Sequence, residues 1–362
     1  RQQRRNRSRL KPDLADAASS AGSSAGDAAP ALMRVLVTGG AGYVGSISAE
    51  RLVAAGEKVV ILDNLVTGHR AAVPEGARLV VGSVGDRQLV EGLLRAERIE
   101  AVLHCAARSL VGESVQQPAL YYHENVVGGV ALLEAMREAG VERLVFSSTA
   151  AVYGEPERVP ITEDMPSRPI NPYGETKRTF EEAMRWYGEA HGLRSVALRY
   201  FNAAGASEER GEDHDPETHL IPNLLAAALG GPPITLFGDD YPTPDGTCVR
   251  DYIHVLDLAE AHLAALRLTA AATRPGLVVA NLGSGNGFSV REVLAAAGAA
   301  VGSPIPHHVG PRRPGDPPVL VASNARARAL LGWSPARGDL GSIVGSAWAW
   351  RQAHPSGYGD RA

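Results

Sequence analysis

The chain has 362 residues, 44% of them apolar and 21% charged, which is enough for a large core carrying a smaller lobe. A formal net charge of −4 leaves no footprint for nucleic acid, and no run approaches the roughly 18 apolar residues of a membrane span, so a cytoplasmic protein without nucleic-acid or membrane partners is the expectation. Cys105 and Cys248, the only cysteines, make neither a disulfide framework nor a metal site; free thiols and no metal are expected.

In chain order, residues 1–32 begin with the basic run "RQQRRNRSRLK" and continue with "AASSAGSSAGDAAPA", small and polar without an apolar period. Such a stretch cannot bury enough surface to offset its ordering entropy, and a disordered tail is expected, with Met33 opening the folded part. Asp13, Asp16 and Asp27 argue against a transit peptide. From Arg34 the apolar runs "RVLVTG", "KVVILDN", "ARLVVGS", "AVLHCAA", "RLVFSST" and "SVALRYFN" alternate with stretches of helical spacing such as "GSISAERLVAAG" and "VVGGVALLEAMREAG". This alternation predicts an α/β fold, a Rossmann-type doubly wound parallel sheet over 33–203 that presents ligands at its strand carboxyl ends.

After about Ala203 the alternation weakens. The loops "GEDHDPETHLIP", "GDDYPTPDGT" and "GPRRPGDPP" surround short elements and predict a smaller mixed α/β lobe over 204–352, with about 257–285 returning to the first domain. Residues 353–362 are expected to be a flexible end.

"TGGAGYVGS" follows the first strand and opens a helix. Gly39, Gly42 and Gly45 have the spacing of a tight turn, a close backbone approach to a pyrophosphate and close helix-to-strand packing. Asp63, ending the second strand, is placed to accept hydrogen bonds from an adenosine ribose and repels a 2′-phosphate, so NAD is expected rather than NADP. His104 reads as a packed strand histidine.

"NPYGETK" places Tyr173 and Lys177 at i and i+4, on one helical face. "FSST" ends the fifth strand, so Ser147, Ser148 or Thr149 can hydrogen-bond the same substrate oxygen as Tyr173. Glycine loop, hydroxyl residues and Tyr-x-x-x-Lys together resemble the short-chain dehydrogenase/reductase superfamily in its extended, nucleotide-sugar-modifying branch. A phenol with a reference pKa near 10 needs about 4 kcal/mol of help to act as a base at pH 7. One ammonium about 6 Å away, at an effective dielectric near 20, supplies about 2.8 kcal/mol. Lys177 alone is therefore insufficient, and an oxidised nicotinamide is the second cation that the site needs.

The motifs "AARSLVGES", "YYHENVVGG", "FSSTAAVYG", "LRYFNAAGA", "THLIP", "LFGDDYPTPDGTCVRDYIHVLDLAEAH" and "RRPGDP" in this order resemble the UDP-glucose 4-epimerase family from about Met33 to Trp350. The resemblance implies reversible epimerisation at C4 of a UDP-hexose through a transient 4-keto sugar, with NAD held throughout. It assigns catalysis to Tyr173, Lys177 and Thr149. It assigns the cofactor to Gly39, Gly42, Tyr43, Val44, Gly45, Asp63, Asn64, Leu65, Ser83, Val84, Ala106, Asn125, Tyr173, Lys177 and Phe201. The UDP-sugar falls to Thr149, Asn202, Leu220, Phe237, Arg250, Arg313, Asp316 and Leu320, with the two arginines as paired diphosphate donors. It also implies a homodimer through a helical bundle that "VVGGVALLEAMREAG" and "TKRTFEEAMRWYGEAHG" can supply.

Departures from the family pattern are equally specific. Ser83 stands where relatives have an Asp that binds the adenine amine, so either NAD is held less tightly or Asp86 compensates. Ser109 replaces a basic residue near the phosphates, and His219 an Asn. A 4,6-dehydratase would need an added acid and base after Thr149, where this chain has Ala150 and Ala151. An idle NAD-binding module, or a net reductase or decarboxylase, is the alternative from another class. Leu320 is intermediate between the tyrosine of members restricted to unacetylated sugars and the small residue of permissive ones, so UDP-N-acetylhexosamine and UDP-pentose turnover remain alternatives.

Overall fold

The computed structural model describes residues 32–313 and 316–360. But for Leu32, the tail expected over 1–32 lies outside the described residues. Seven parallel strands form the central sheet: β1 (Arg34–Thr38), β2 (Lys58–Asp63), β3 (Arg78–Val81), β4 (Ala101–His104), β5 (Arg143–Thr149), β6 (Arg194–Tyr200) and β11 (Gly276–Leu282). Their order is β11-β6-β5-β4-β1-β2-β3, so the connection reverses direction between β1 and β4. That reversal opens a crevice at the strand carboxyl ends, which is where a doubly wound sheet takes its ligand.

The strands are apolar at successive positions because both faces are covered. Val35 and Val37 of β1 pack with Leu52, Leu258 and Leu266, while Leu36 between them packs with Leu132, Leu133 and Phe180. The first group belongs to helices α1 (Tyr43–Ala54) and α6 (Val255–Ala271), the second to the face carrying α2 (Arg87–Ala96), α3 (Gly128–Ala139) and α4 (Pro172–His191). Each such fully buried aliphatic side chain contributes about 1.5–3 kcal/mol. α4 starts where its sequence dictates: the Asn171 side-chain Oδ1 accepts from Gly174 N–H at 2.8 Å and Pro172 takes the first helical position, while Gly192, at φ +81°, ends it.

Three further helices and shorter strands build a second lobe. α5 (Leu220–Ala228), α7 (Val290–Val301) and α8 (Leu340–Ala353) surround a second core of Ile221, Leu224, Val293, Ile343 and Val344. Beside it, β7 (Asn202–Ala204) pairs with β10 (Tyr252–His254), and β8 (Ile234–Phe237) with β13 (His307–Gly310). The strand β9 (Val249–Arg250) lies between β12 (Phe288–Ser289) and β14 (Val319–Leu320). α6 and β11 interrupt this lobe in sequence; β11 pairs with β6 along its whole length.

The end of the chain is pinned rather than flexible. Asp360 accepts from Ala71 N–H at 2.9 Å and pairs with His69 at 2.6 Å, and Tyr358 N–H donates to Asp213 at 2.9 Å. Of these partners, all remote in sequence, His69 is buried and anchors residues 358–360 to the fold. Residues 361–362 lie outside the described residues. Among the described residues no helix is long and apolar enough to cross a membrane.

Candidate active site

A cleft of about 550 Å³ runs along the carboxyl ends of the sheet and under the second lobe, in the size range of small-molecule sites. At one end stands the glycine turn. A Cβ on Gly45 would lie 2.0 Å from the Gly39 carbonyl oxygen, and Gly39 itself has φ +70°, so no other residue fits this helix-to-turn approach. Gly42 caps α1 without a side-chain bond, leaving the first-turn N–H groups for an anion. The buried Asp63 carboxylate accepts from Ala41 N–H at 2.9 Å and Leu65 N–H at 2.8 Å, with acceptor capacity remaining for a ribose. Burial raises its pKa, and these two N–H groups oppose the rise. Turn, helix terminus and carboxylate fit NAD.

At the other end the first turn of α4 brings Tyr173 against β5. This approach needs Gly174, where a Cβ would lie 2.6 Å from the Ala151 carbonyl oxygen. Lys177 Nζ sits 5.9 Å from the Tyr173 ring centre and 4.7 Å from that of Phe146, and donates to the Ser147 carbonyl at 2.9 Å. Burial lowers Lys177 to about 8, so the ammonium persists at neutral pH. Burial raises the Tyr173 phenol, and its hydrogen bond with Thr149 only partly opposes this. The protein by itself therefore holds Tyr173 protonated.

Three hydroxyls were open candidates beside Tyr173. Ser147 Oγ turns to Cys105 Sγ at 3.2 Å and His262 Nε2 at 3.1 Å. Ser148 Oγ donates to Glu181 at 2.5 Å, and Glu181 is in turn bound by Arg199, Nε to Oε1 at 2.9 Å. Arg199 and Glu181 are both nearly fully buried, and removing either would strand the other at a cost of about 3–5 kcal/mol. Thr149 alone of the three lines the cleft, followed by Ala150 and Ala151. His104 is packed as expected: Thr38 Oγ1 lies 2.7 Å from its Nδ1, and burial lowers it to about 3.

Gly39, Gly42, Tyr43, Val44, Gly45, Asp63, Asn64, Ser83, Val84, Ala106, Phe201, Asn202, Arg250, Asp316 and Leu320 also line the cleft. Leu65, Asn125, Leu220, Phe237 and Arg313 do not. Leu65 turns at φ +58° to donate to Asp63. Asn125 instead braces the loop after β4: its Oδ1 accepts from Arg108 N–H at 2.8 Å and its Nδ2 donates to Thr176 Oγ1 at 3.1 Å. The expected arginine pair is not assembled, because Arg250 is held by Asp316 while Arg313 stacks on the Phe237 ring at 4.0 Å. Asp86 is not among the residues lining the cleft beside Ser83, and its Oδ1 accepts from Leu89 N–H at 3.1 Å as the cap of α2.

Sequence reasoning missed Arg108 and a cluster of four. Arg108 lines the cleft beside Ser109 and puts a cation next to the place where one was missing. Glu212, His214, Glu217 and His219 converge at its second-lobe wall, with one ligand atom from each lying within 4.8 Å of the others. Burial pulls both imidazoles down, but the two carboxylates prevail and hold His214 at about 9 and His219 at about 10.

The model of the NAD dependent epimerase/dehydratase family matches residues 35–283. A relative from Streptomyces lividans, a UDP-glucose 4-epimerase, is 55% identical over 332 residues, covering 91% of this chain and 99% of that one. The crystal structure of UDP-glucose 4-epimerase from Brucella ovis in complex with NAD superposes with a TM-score of 0.84 at 46% identity, covering 87% of this chain and 97% of that one. The Bifidobacterium longum enzyme, in complex with NAD+ and UDP, gives 0.84 at 37% identity, covering 90% and 99%.

Proposed function

The chain belongs to the NAD dependent epimerase/dehydratase family, and we propose that it interconverts UDP-glucose and UDP-galactose by inverting C4 through a transient 4-keto sugar. One arrangement carries this reading: Tyr173, Thr149 and Lys177 stand at the far end of a dinucleotide cradle with Ala150 and Ala151 beside them. At this end of the cleft Tyr173 stands where it can take the C4 proton, and the two residues after Thr149 are alanines, which supply no acid or base for elimination.

Thr149 orients the C4 hydroxyl and Tyr173 takes its proton, while the Lys177 ammonium favours the tyrosinate. NAD, when bound, supplies the hydride acceptor and, oxidised, a second positive charge. After the keto sugar has turned, C4 would take the hydride back on its other face while Tyr173 returns the proton to the C4 oxygen; the cycle leaves no net redox change. We assign the diphosphate to Arg250, the ribose to Asp316, the uridine rim to Phe237 and Arg313, and the wall beside the sugar to Asn202 and Leu320. We also read the chain as a homodimer through α3 and α4, whose neighbourhood exposes Val127 and Trp186.

The test is conversion of UDP-galactose to UDP-glucose by the purified full chain without added cofactor. Conversion without net NADH is expected, whereas a stoichiometric need for added NAD would favour a net reductase. Sugar selectivity is read at Leu320, which packs beside Phe201, Val152 and Ile161. Weak turnover of UDP-N-acetylglucosamine is expected, and Leu320→Tyr should lower its kcat/KM relative to UDP-glucose by about 10-fold. Strict rejection of the acetylated sugar by the unmodified chain at saturating concentration would remove this assignment.

A further inference from the structure

The run "EDHDPETH" sets Glu212, His214, Glu217 and His219 within eight residues, and the turn between β7 and α5 folds them onto one another. Glu212 Oε1 lies 2.8 Å from His219 Nδ1 and 3.2 Å from His214 Nδ1; Glu217 Oε1 lies 2.8 Å from His219 Nδ1 and its Oε2 3.6 Å from His214 Nδ1. Four ligands held about 2.0–2.2 Å from a tetrahedral ion stand about 3.3–3.6 Å from one another; here the His–Glu separations run from 2.8 to 3.6 Å and one ligand atom from each of the four residues falls within 4.8 Å of the others, so small side-chain shifts bring the set to that spacing. Two imidazoles and two carboxylates are also a donor set that suits zinc.

An ion-pair network is the competing account, and one atom speaks against it. His214 Nδ1 is sealed from solvent and lies 3.2 Å from Glu212 Oε1, within ion-pair reach but without hydrogen-bond geometry. A buried imidazole nitrogen left so is costly unless something other than a hydrogen bond satisfies it. Glu217 is similarly divided. Its Oε1 accepts from the N–H groups of Thr218 at 2.7 Å and His219 at 2.8 Å and also meets His219 Nδ1 at 2.8 Å, which orients the group, while Oε2 lies 3.6 Å from His214 Nδ1.

We propose that Glu212, His214, Glu217 and His219 form a structural site for a divalent transition cation, Zn²⁺ by the chemistry of the set, which clamps the second-lobe wall of the cleft. Four protein ligands leave no open position for a reacting group, so the ion supplies rigidity rather than chemistry. Its leverage is local. The His214 ring meets the Tyr43 ring edge-on at 6.2 Å, Tyr43 donates to the Gly205 carbonyl at 2.6 Å, and His219 caps α5. The clamp therefore ties the cofactor-side helix α1 to the start of α5 across the mouth of the cleft.

The test is titration of the chelator-stripped full chain with Co²⁺, followed by displacement with Zn²⁺. One equivalent per chain, with the visible absorption of a tetrahedral cobalt centre and a thermal midpoint that rises with Zn²⁺ concentration, is expected. His219→Gln, which keeps a polar side chain, and Glu212→Gln should each weaken binding by about 100-fold and flatten the thermal response. The unmodified chain alone decides if a variant fails to fold: absence of stoichiometric binding at micromolar metal overturns the site. Binding that is unchanged in both folded variants overturns it equally.

Discussion

Tyr173→Phe is expected to lower kcat by about 10³-fold while leaving NAD and UDP-sugar affinity within about threefold. The substitution removes one oxygen from a buried ring whose packing, edge-on to Tyr121 at 6.5 Å, is unchanged, so the loss reports the proton transfer and not the fold. Phenylalanine can still fill the space beside the sugar, but it can neither take the C4 proton nor return it. Single-turnover reduction of bound NAD by UDP-galactose, alongside calorimetric binding, separates the two quantities. Near-normal turnover would remove Tyr173 from the chemistry.

Lys177→Met is expected to be nearly as damaging at pH 7 and, unlike the tyrosine change, to move the pH profile. Burial raises the Tyr173 phenol, so activity depends on neighbouring positive charge. The Lys177 ammonium, held at about 8 by burial, is charged at neutral pH. Removing a cation destabilises the tyrosinate, which raises the pH at which it forms. The limb of kcat that rises with pH should thus shift upward, by about 2 units at most for a charge about 6 Å away at an effective dielectric near 20. Methionine keeps the apolar stem over Phe146, so a loss of activity with no shift of the limb would give Lys177 a positioning role only. Burial moves the phenol further from neutral pH, so the positive charge that must offset it is larger than the reference value alone requires.

How much of this was legible follows from what each feature depends on. The first six sheet strands could be read because strands buried on both faces leave unbroken apolar runs between turn signals. Tyr173 and Lys177 could be read because helix periodicity alone puts them on one face. The choice among Ser147, Ser148 and Thr149 could not, since it is made by Glu181 and Arg199, far along the chain. Nor could the pinned end: His69 meets Asp360 across 291 positions, with no local pattern to announce it. Asp86 was legible as a helix cap, Asp preceding an amphipathic run, and the cap bond takes one of its two oxygens. The Glu-x-His-x-x-Glu-x-His spacing was in plain view but lies in a loop rich in turn residues, where metal spacing is easily passed over.

The central claim is that one tightly held NAD removes a hydride from C4 and returns it to the same carbon. UDP-galactose carrying deuterium at C4, incubated with the purified full chain and no added cofactor, tests it most directly. The account predicts UDP-glucose with the deuterium retained at C4 and no NADH released; deuterium lost to solvent, or conversion only with stoichiometric added NAD, would contradict it.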